Sequence, residues 1–229
     1  MAPESEEAAY QRAGFGNQLT LGSRPAVIVV DLSLGFTDPS SAVGGDLRDV
    51  VANTRRVLDV ARAEGVPIIF TTIAFEPDYS NIGLWISKVP GAKQLVSGTR
   101  WVEIDPRLDR LPIEPVVVKQ GASACFGTTL LELLKELHVD TAIVTGTSTS
   151  GCVRATVVDL FQAEVPVLVP SECVGDRFSS SHDAALFDLN AKYADVVTTV
   201  EACDFLRTVH PSDSDPTTNQ PTPRKTENQ

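Results

Sequence analysis

Short apolar runs that alternate with longer amphipathic segments constrain this fold more than any other feature of the sequence. Runs rich in β-branched residues, typical of buried strands, occur at 25–31, 66–72, 115–119, 141–145, 165–170 and 195–200. Between them, apolar residues recur at helical spacing over 46–63, 128–137 and 180–191. Because such strand–helix–strand units connect parallel strands by right-handed crossovers, the sequence predicts an α/β fold, a parallel sheet with helices on both faces.

A cysteine lies where the fourth predicted strand turns into a helix. Gly146 and Gly151 interrupt the β-branched run, and apolar residues return at helical spacing from Val153 onward. Cys152 is therefore predicted at the start of a helix, where backbone N–H groups lower the pKa of a thiol and can bind an oxyanion. On this segment alone, a catalytic cysteine and a small buried cysteine fit equally well.

Two charged residues close other predicted strands. Asp31 ends the first run and Lys119 ends the third. The carboxyl ends of parallel strands meet at one edge of a sheet, where ligands bind. A carboxylate, an ammonium and a thiol supply a base, a charge that favours thiolate and a nucleophile, which suffices for acyl transfer. Taken singly, Asp31 could cap a turn and Lys119 could be a solvated strand end, but their coincidence with Cys152 favours a site.

The charge and composition of the chain argue against several classes of binding partner. The formal net charge of −11 argues against a nucleic-acid or anionic membrane surface, and no apolar run reaches transmembrane length. The four cysteines form no CxxC pair, the three histidines are too few for a metal cluster, and no secretory signal is recognised. A cytoplasmic location is therefore expected.

The chain divides into three segments. Residues 1–13 are acidic without a packing period and are expected to be a flexible arm. Residues 14–209 are expected to form a single domain with a full hydrophobic core. Residues 210–229 are rich in Pro, Thr, Ser and Asp and are expected to be disordered. Within the domain, the irregular segment 73–98 is long enough to be a lid or an interface.

Four motifs resemble those of the isochorismatase-like cysteine hydrolases. They are Val-Val-Asp31, Val-Lys119-Gln-Gly-Ala-Ser-Ala-Cys-Phe-Gly-Thr, Thr-Ser-Thr-Ser-Gly-Cys152-Val and Cys-Val-Gly-Asp-Arg177 with the later Leu-Phe-Asp-Leu-Asn-Ala-Lys-Tyr. The resemblance covers roughly residues 14–206. Within the family, the sequence is most similar to the N-carbamoylsarcosine amidase and maleamate amidohydrolase branch.

This resemblance implies a three-layer α/β/α hydrolase fold whose six-stranded parallel sheet has the order 3-2-1-4-5-6. It also implies a catalytic triad of Asp31, Lys119 and Cys152. A non-proline cis peptide would fall between Thr147 and Ser148, and it would turn the N–H of Ser148 toward the oxyanion beside that of Cys152.

Departures from the family pattern restrict the chemistry. The nicotinamidase branch uses an aspartate and two histidines for a metal after its second strand, whereas residues 71–78 here contain no histidine. The resemblance therefore implies no metal and no cofactor. Isochorismatase proper lacks a nucleophilic cysteine at the position of Cys152, so that activity is not expected. Cys125 replaces a phenylalanine that is usual in the family, which alters the neighbourhood of the pocket.

Candidate substrate-binding residues lie near the same edge. Arg177 follows the fifth predicted strand and could clamp a carboxylate through two hydrogen bonds, although a salt bridge with Asp176 or another surface acid is the alternative. Arg154, in the first turn of the nucleophile helix, is a weaker candidate. His182 is expected to be structural or interfacial. Further pocket candidates are Phe36, Trp85 and Lys88, although large aromatic side chains are more often core or subunit contacts.

The predicted function is an amidohydrolase that releases ammonia from a small carboxylate-bearing amide or ureido compound through a thioester. N-carbamoylsarcosine or a related N-carbamoyl amino acid is the first candidate substrate, and maleamate is the second. The rival interpretations are a binding module that has lost turnover and a redox-sensing thiol protein. The expected partners are the substrate, water and further copies of the chain, as a tetramer in which segment 73–98 helps to close a neighbour's site.

Overall fold

One parallel sheet runs through the molecule. The structure is a computed structural model that describes residues 5–209; the whole of the predicted tail and the first four residues of the predicted arm lie outside this range. The strands are β1 (Pro25–Val30), β2 (Ile68–Ile73), β3 (Val116–Lys119), β4 (Thr141–Thr147), β5 (Val167–Pro170), β6 (Val174–Gly175) and β7 (Asp195–Val197). Their order is β3-β2-β1-β4-β5-β7, and β6 pairs with β4. The predicted parallel α/β architecture is confirmed.

The sheet has seven strands rather than the predicted six, because β6 is an additional short strand. β6 has only two residues, and it pairs with Gly146 and Thr147 at the carboxyl end of β4. No two-residue segment carries a strand pattern of its own, so the tertiary contact alone creates it. β7 therefore takes the sixth place in the predicted order.

β1 and β4 form the centre of the sheet and are buried at every position. The helices cover both faces. On one face, residues from α3 (Arg48–Ala63) and α8 (Thr199–Thr208) pack against Val27 and Val29. On the other face, α5 (Leu130–Glu136), α6 (Arg154–Gln162) and α7 (Ser179–Lys192) pack against Ala26, Ile28 and Val30. The result is the expected three-layer α/β/α arrangement.

The last predicted strand is shorter than expected, because a helix cap follows it at once. The predicted run continued to residue 200, but β7 ends at Val197. The side chain of Thr198 accepts a hydrogen bond from the N–H of Glu201, and the Glu201 carboxylate accepts one from the N–H of Thr198. This capping box begins α8 at Thr199, within the run predicted to be a strand.

Short helices occur outside the predicted elements. α1 (Glu6–Arg12) lies within the segment expected to be an arm, and the side chain of Ser5 caps it. The Tyr10 ring packs 5.1 Å from the Phe187 ring, between centroids, which gives this segment an aromatic contact that helical periodicity did not reveal. α2 (Leu34–Thr37) follows β1, and α4 (Trp85–Lys88) lies within segment 73–98. Between residues 5 and 209, no helix is long and apolar enough to cross a membrane.

Candidate active site

Asp31, Lys119 and Cys152 meet at the carboxyl edge of the sheet. Asp31 follows β1 directly, Lys119 is the last residue of β3, and Cys152 lies in the turn after β4. Their exposed fractions are 0%, 0% and 6%. Asp31 has a left-handed backbone with φ of 52°, a conformation that is rare outside glycine and is common at functional sites. The three predicted residues are thus brought together and shielded from water.

The carboxylate and the ammonium form a buried ion pair. Lys119 Nζ lies 2.7 Å from Asp31 Oδ2. The same ammonium donates hydrogen bonds to the carbonyl oxygens of Gly121 and Ala122, each at 2.9 Å. Asp31 Oδ1 accepts a hydrogen bond of 2.8 Å from the Thr71 hydroxyl. Asp31 Oδ2 receives no conventional hydrogen bond from the described residues, so the ion pair is its polar contact.

The thiol of Cys152 contacts both members of this pair. Its side chain makes hydrogen-bond contacts with Asp31 and Lys119. Burial and the negative charge of Asp31 raise the pKa of the thiol to about 12, although Lys119 acts in the opposite direction. The sequence predicted a lowered pKa from the position at a helix start. That direction is wrong for the resting chain, because burial and the carboxylate outweigh the ammonium.

Lys119 remains charged in this buried position. Burial lowers the pKa of its ammonium, but the negative charge of Asp31 and the contact with the Cys152 side chain outweigh burial and raise the pKa overall. The resting site therefore contains an ammonium and a protonated thiol, both beside the Asp31 carboxylate. In such an arrangement, the thiol proton can move to the Asp31 carboxylate while the sulfur attacks a substrate carbonyl.

A tight turn brings the cysteine to this edge. β4 ends at Thr147, the peptide between Thr147 and Ser148 is cis, as the resemblance implied, and a π-helical turn (Thr149–Val153) leads into α6. Gly146 permits the close approach of β4 to β1, because a Cβ there would lie 2.0 Å from the Val30 carbonyl oxygen. Ser148 and Cys152 thus lie in one turn.

A cavity of about 280 Å³ opens beside this turn. Its lining includes Phe36, Thr147, Asp176, Arg177 and the loop 43–47. The guanidinium of Arg177 donates hydrogen bonds to Ser148 Oγ at 3.3 Å and to the Val43 carbonyl oxygen. The alternative salt bridge with Asp176 does not form; the Asp176 carboxylate accepts hydrogen bonds from backbone N–H groups and from Ser150 Oγ instead. Arg177 therefore joins the cavity to the cysteine turn.

The other candidates lie apart from this cavity. Trp85 is half-buried against the core, and Lys88 is exposed at the end of α4; neither lines the cavity. Arg154 pairs with Asp188 at 3.1 Å and ties α6 to α7. His182 Nδ1 lies 2.9 Å from Thr149 Oγ1, so this histidine contacts the turn itself. Among residues 5–209, no three His, Cys, Asp or Glu side chains are grouped closely enough to hold a metal ion.

Comparison with known protein families identifies the family to which this chain belongs. A model described as the Isochorismatase domain matches residues 25–201, a range that contains all three converging side chains. The chain belongs to the isochorismatase family.

Two characterised relatives of this isochorismatase-family chain are similar over most of their length. Maleamate amidohydrolase of Pseudomonas putida is 36% identical over 84% of this chain and 92% of its own. N-carbamoylsarcosine amidase of an Arthrobacter species is 34% identical over 89% of this chain and 79% of its own. A solved cysteine hydrolase from Pseudomonas syringae superposes with a TM-score of 0.80 and 25% identity, covering 86% of this chain and 98% of that one.

Sequence reasoning missed two features of this isochorismatase-family site. Thr71 binds Asp31 from β2, the neighbouring strand. A signal existed, because a polar residue inside an otherwise apolar buried strand requires a partner. The Val43 carbonyl that accepts from Arg177 left no signal, since any residue type supplies a backbone carbonyl.

Proposed function

We propose that this chain is a cysteine amidohydrolase that releases ammonia from a small carboxylate-bearing amide or ureido compound. The observation that carries the proposal is the contact of the Cys152 thiol with the buried Asp31–Lys119 pair. The names of the two characterised relatives support hydrolysis of a C–N bond other than a peptide bond.

In the first half-reaction, Asp31 takes the proton of Cys152 while the sulfur attacks the substrate carbonyl. The N–H groups of Ser148 and Cys152 hold the negative oxygen of the tetrahedral intermediate, and the Lys119 ammonium stabilises the thiolate. Asp31 then returns the proton to the departing nitrogen. The C–N bond breaks, ammonia leaves, and a thioester remains on Cys152.

In the second half-reaction, Asp31 takes a proton from a water molecule that attacks the thioester. The C–S bond breaks and the proton returns to the sulfur, so the free thiol is restored. The product is a carboxylic acid, or a carbamic acid when the substrate is a ureido compound. A carbamic acid then decomposes to carbon dioxide and an amine, which makes the overall reaction irreversible in practice.

The substrate proposal rests on Arg177. Its guanidinium lines the cavity and donates to Ser148 in the turn that carries Cys152, and we infer that a substrate carboxylate binds this guanidinium with the amide group directed toward Cys152. N-carbamoylsarcosine or a related N-carbamoyl amino acid is our first candidate, because it combines a carboxylate with a terminal ureido amide. The N-carbamoylsarcosine amidase relative supports this choice.

Maleamate is the second candidate. The maleamate amidohydrolase relative is 36% identical and is matched over 92% of its length. Maleamate also carries one carboxylate and one terminal amide, so the same two groups of the site would bind it. The candidates differ in the atoms that connect the carboxylate and the amide, which changes binding by only a few kcal/mol.

A coupled ammonia assay tests the proposal. The purified chain should release ammonia from an N-carbamoyl amino acid or from maleamate faster than from nicotinamide or biuret. Cys152→Ala should abolish the release while circular dichroism shows an intact fold, because loss of a nucleophile costs several orders of magnitude. More than about a tenth of the wild-type rate in Cys152→Ala would contradict nucleophilic catalysis.

The same assay separates the rival functions. A binding module that has lost turnover and a redox-sensing thiol protein would both release no ammonia from any of these compounds. The buried thiol with its raised pKa counts against redox sensing, which favours exposed thiolates. Incubation with EDTA should leave the rate unchanged, because an ammonium rather than a metal ligand faces Asp31. Inactivation by EDTA that Zn²⁺ reverses would contradict this.

A further inference from the structure

The helix that follows the nucleophile also anchors the loop that holds Lys119. Thr156 and Asp159 lie on α6, four and seven residues after Cys152, a spacing that places residues on one side of a helix. Thr156 Oγ1 accepts a hydrogen bond of 2.9 Å from the Ala124 N–H. Asp159 Oδ2 accepts one of 2.5 Å from the Ser123 hydroxyl. One side of α6 is therefore bonded to the loop 120–125.

This loop defines the position of the ammonium. The Gly121 and Ala122 carbonyls, which accept hydrogen bonds from the Lys119 ammonium, lie between β3 and the two anchor points. The loop forms neither strand nor helix, so side-chain bonds replace the ladder that would otherwise fix its backbone. Ser123 Oγ additionally accepts from the Cys125 N–H at 3.0 Å.

Burial makes these anchors strong. Thr156 is fully buried and Ser123 is 8% exposed. Water cannot replace the lost partner of a buried N–H group, so the Ala124 N–H has no alternative acceptor in place. A shift of the loop would carry the two carbonyls with it, and the ammonium would follow them away from Asp31 and Cys152.

We propose that Thr156 and Asp159 are positioning residues for the reaction: they fix the loop 120–125 and thereby hold the Lys119 ammonium between Asp31 and Cys152. The inference rests on the proposed role of Cys152 as nucleophile. A purely structural role for these bonds is the alternative. The two roles predict opposite changes in the reactivity of the Cys152 thiol. Loss of a purely structural bond would expose the thiol and make it more reactive, whereas displacement of the ammonium would make it less reactive.

The test is the alkylation of Cys152 by iodoacetamide at neutral pH, followed by mass spectrometry of the peptide that contains Cys152. In Thr156→Val, which keeps the shape but removes the acceptor, we expect alkylation to be about tenfold slower than in the wild type, since one pKa unit changes the thiolate fraction tenfold. We expect kcat for ammonia release to fall by a similar factor while KM changes less than about twofold.

Thr54→Val is the matched control. Thr54 is equally buried, and its hydroxyl donates to the Cys173 carbonyl from α3, in the opposite layer. This variant loses a buried hydrogen bond without touching the loop, so its Cys152 should be alkylated at the wild-type rate. Alkylation of Thr156→Val at or above the wild-type rate would overturn the inference.

Ser123→Ala provides a second variant. It removes the bonds to Asp159 and Cys125 from a small side chain, so the fold should tolerate it if Thr156→Val does not fold. Slower alkylation of Cys152 in Ser123→Ala supports the inference, and unchanged or faster alkylation contradicts it. Because alkylation needs no amide substrate, the alkylation test can contradict the inference even when the wild type releases ammonia as proposed. Conversely, slowed alkylation with no ammonia release by the wild type contradicts only the proposed function.

Discussion

At the scale of single residues, the buried Asp31–Lys119 pair carries a large desolvation cost. Both side chains are fully buried, so each has lost its hydration and relies on the other and on neighbouring dipoles. Three polar partners compensate this loss: the Thr71 hydroxyl on the carboxylate and the Gly121 and Ala122 carbonyls on the ammonium. The pair is stable only as a unit.

Removal of one partner should therefore destabilise the fold more than removal of both. Lys119→Met leaves an uncompensated buried carboxylate and should lower the free energy of unfolding by about 3–5 kcal/mol. The double variant Asp31→Asn with Lys119→Met should recover a large part of that loss. Urea titrations at pH 7 measure both. A double variant that is less stable than Lys119→Met would contradict this account.

Arg177 should determine the preference for acidic substrates. In Arg177→Ala, we expect kcat/KM for the best carboxylate substrate to fall by at least about two orders of magnitude, or about 3 kcal/mol, because two charge-assisted hydrogen bonds are lost. Neutral amides of similar size should lose far less. Arg177→Lys should restore only part of the activity, since an ammonium lacks the planar fork.

Arg207→Ala is the control for this series, because Arg207 is an exposed arginine of α8 that pairs with Asp204. It should leave both substrate classes unaffected. Equal losses on charged and neutral substrates in Arg177→Ala would show instead that the guanidinium acts by tying Val43 to Ser148.

At the scale of elements, Asp105 links α2 to the short 3₁₀ turn Pro106–Leu108. Its carboxylate accepts a hydrogen bond of 2.6 Å from Thr37, in α2, and contacts the Arg107 guanidinium at 2.5 Å. α2 carries Phe36, which lines the cavity. Burial raises the pKa of Asp105, but the hydrogen bonds from Arg107 and Thr37 outweigh burial, and the pKa lies below its ordinary value.

The stability contributed by Asp105 should depend on pH. Because the folded-state pKa is lower than the unfolded one, the contribution is complete above about pH 4 and is lost as pH falls through the folded value. Asp105→Asn should therefore lower the free energy of unfolding by about 1–3 kcal/mol at pH 7, and its difference from the wild type should shrink toward pH 3. Asp204→Asn, at an exposed ion pair, should change stability by less than about 1 kcal/mol. A difference for Asp105→Asn that grows on acidification would contradict this.

Which elements the sequence predicts depends on where their stabilisation comes from. β1 and β4 were predicted because complete burial requires apolar residues at every position. Asp31, Lys119 and Cys152 were found because charged or reactive residues interrupt such runs at one edge. β6, α1 and the Arg177–Val43 bond were not found, because each depends on backbone groups or aromatic contacts brought together only by the fold.

At the scale of the whole molecule, two large apolar side chains are exposed in connections that follow neighbouring strands. Leu84, in the connection after β2, is 88% exposed, and Phe126, in the connection after β3, is 84% exposed. β2 and β3 are neighbours in the sheet, so both connections leave it at the same end. Large apolar side chains that are exposed in the isolated chain are typical contact residues of protein–protein interfaces.

We expect Leu84 and Phe126 to contact another copy of the chain, in the tetramer that the family resemblance implies. Sedimentation velocity should show a species larger than the 24.5 kDa chain. Leu84→Asp and Phe126→Asp should each shift the protein toward the monomer, because an interfacial carboxylate would be desolvated without a partner. Ile113→Asp is the control: Ile113 is 87% exposed but precedes β3, at the opposite edge of the sheet, so its substitution should leave the assembly intact. An active preparation that contains only the 24.5 kDa species would exclude this assembly, and equal dissociation by all three substitutions would place the interface elsewhere.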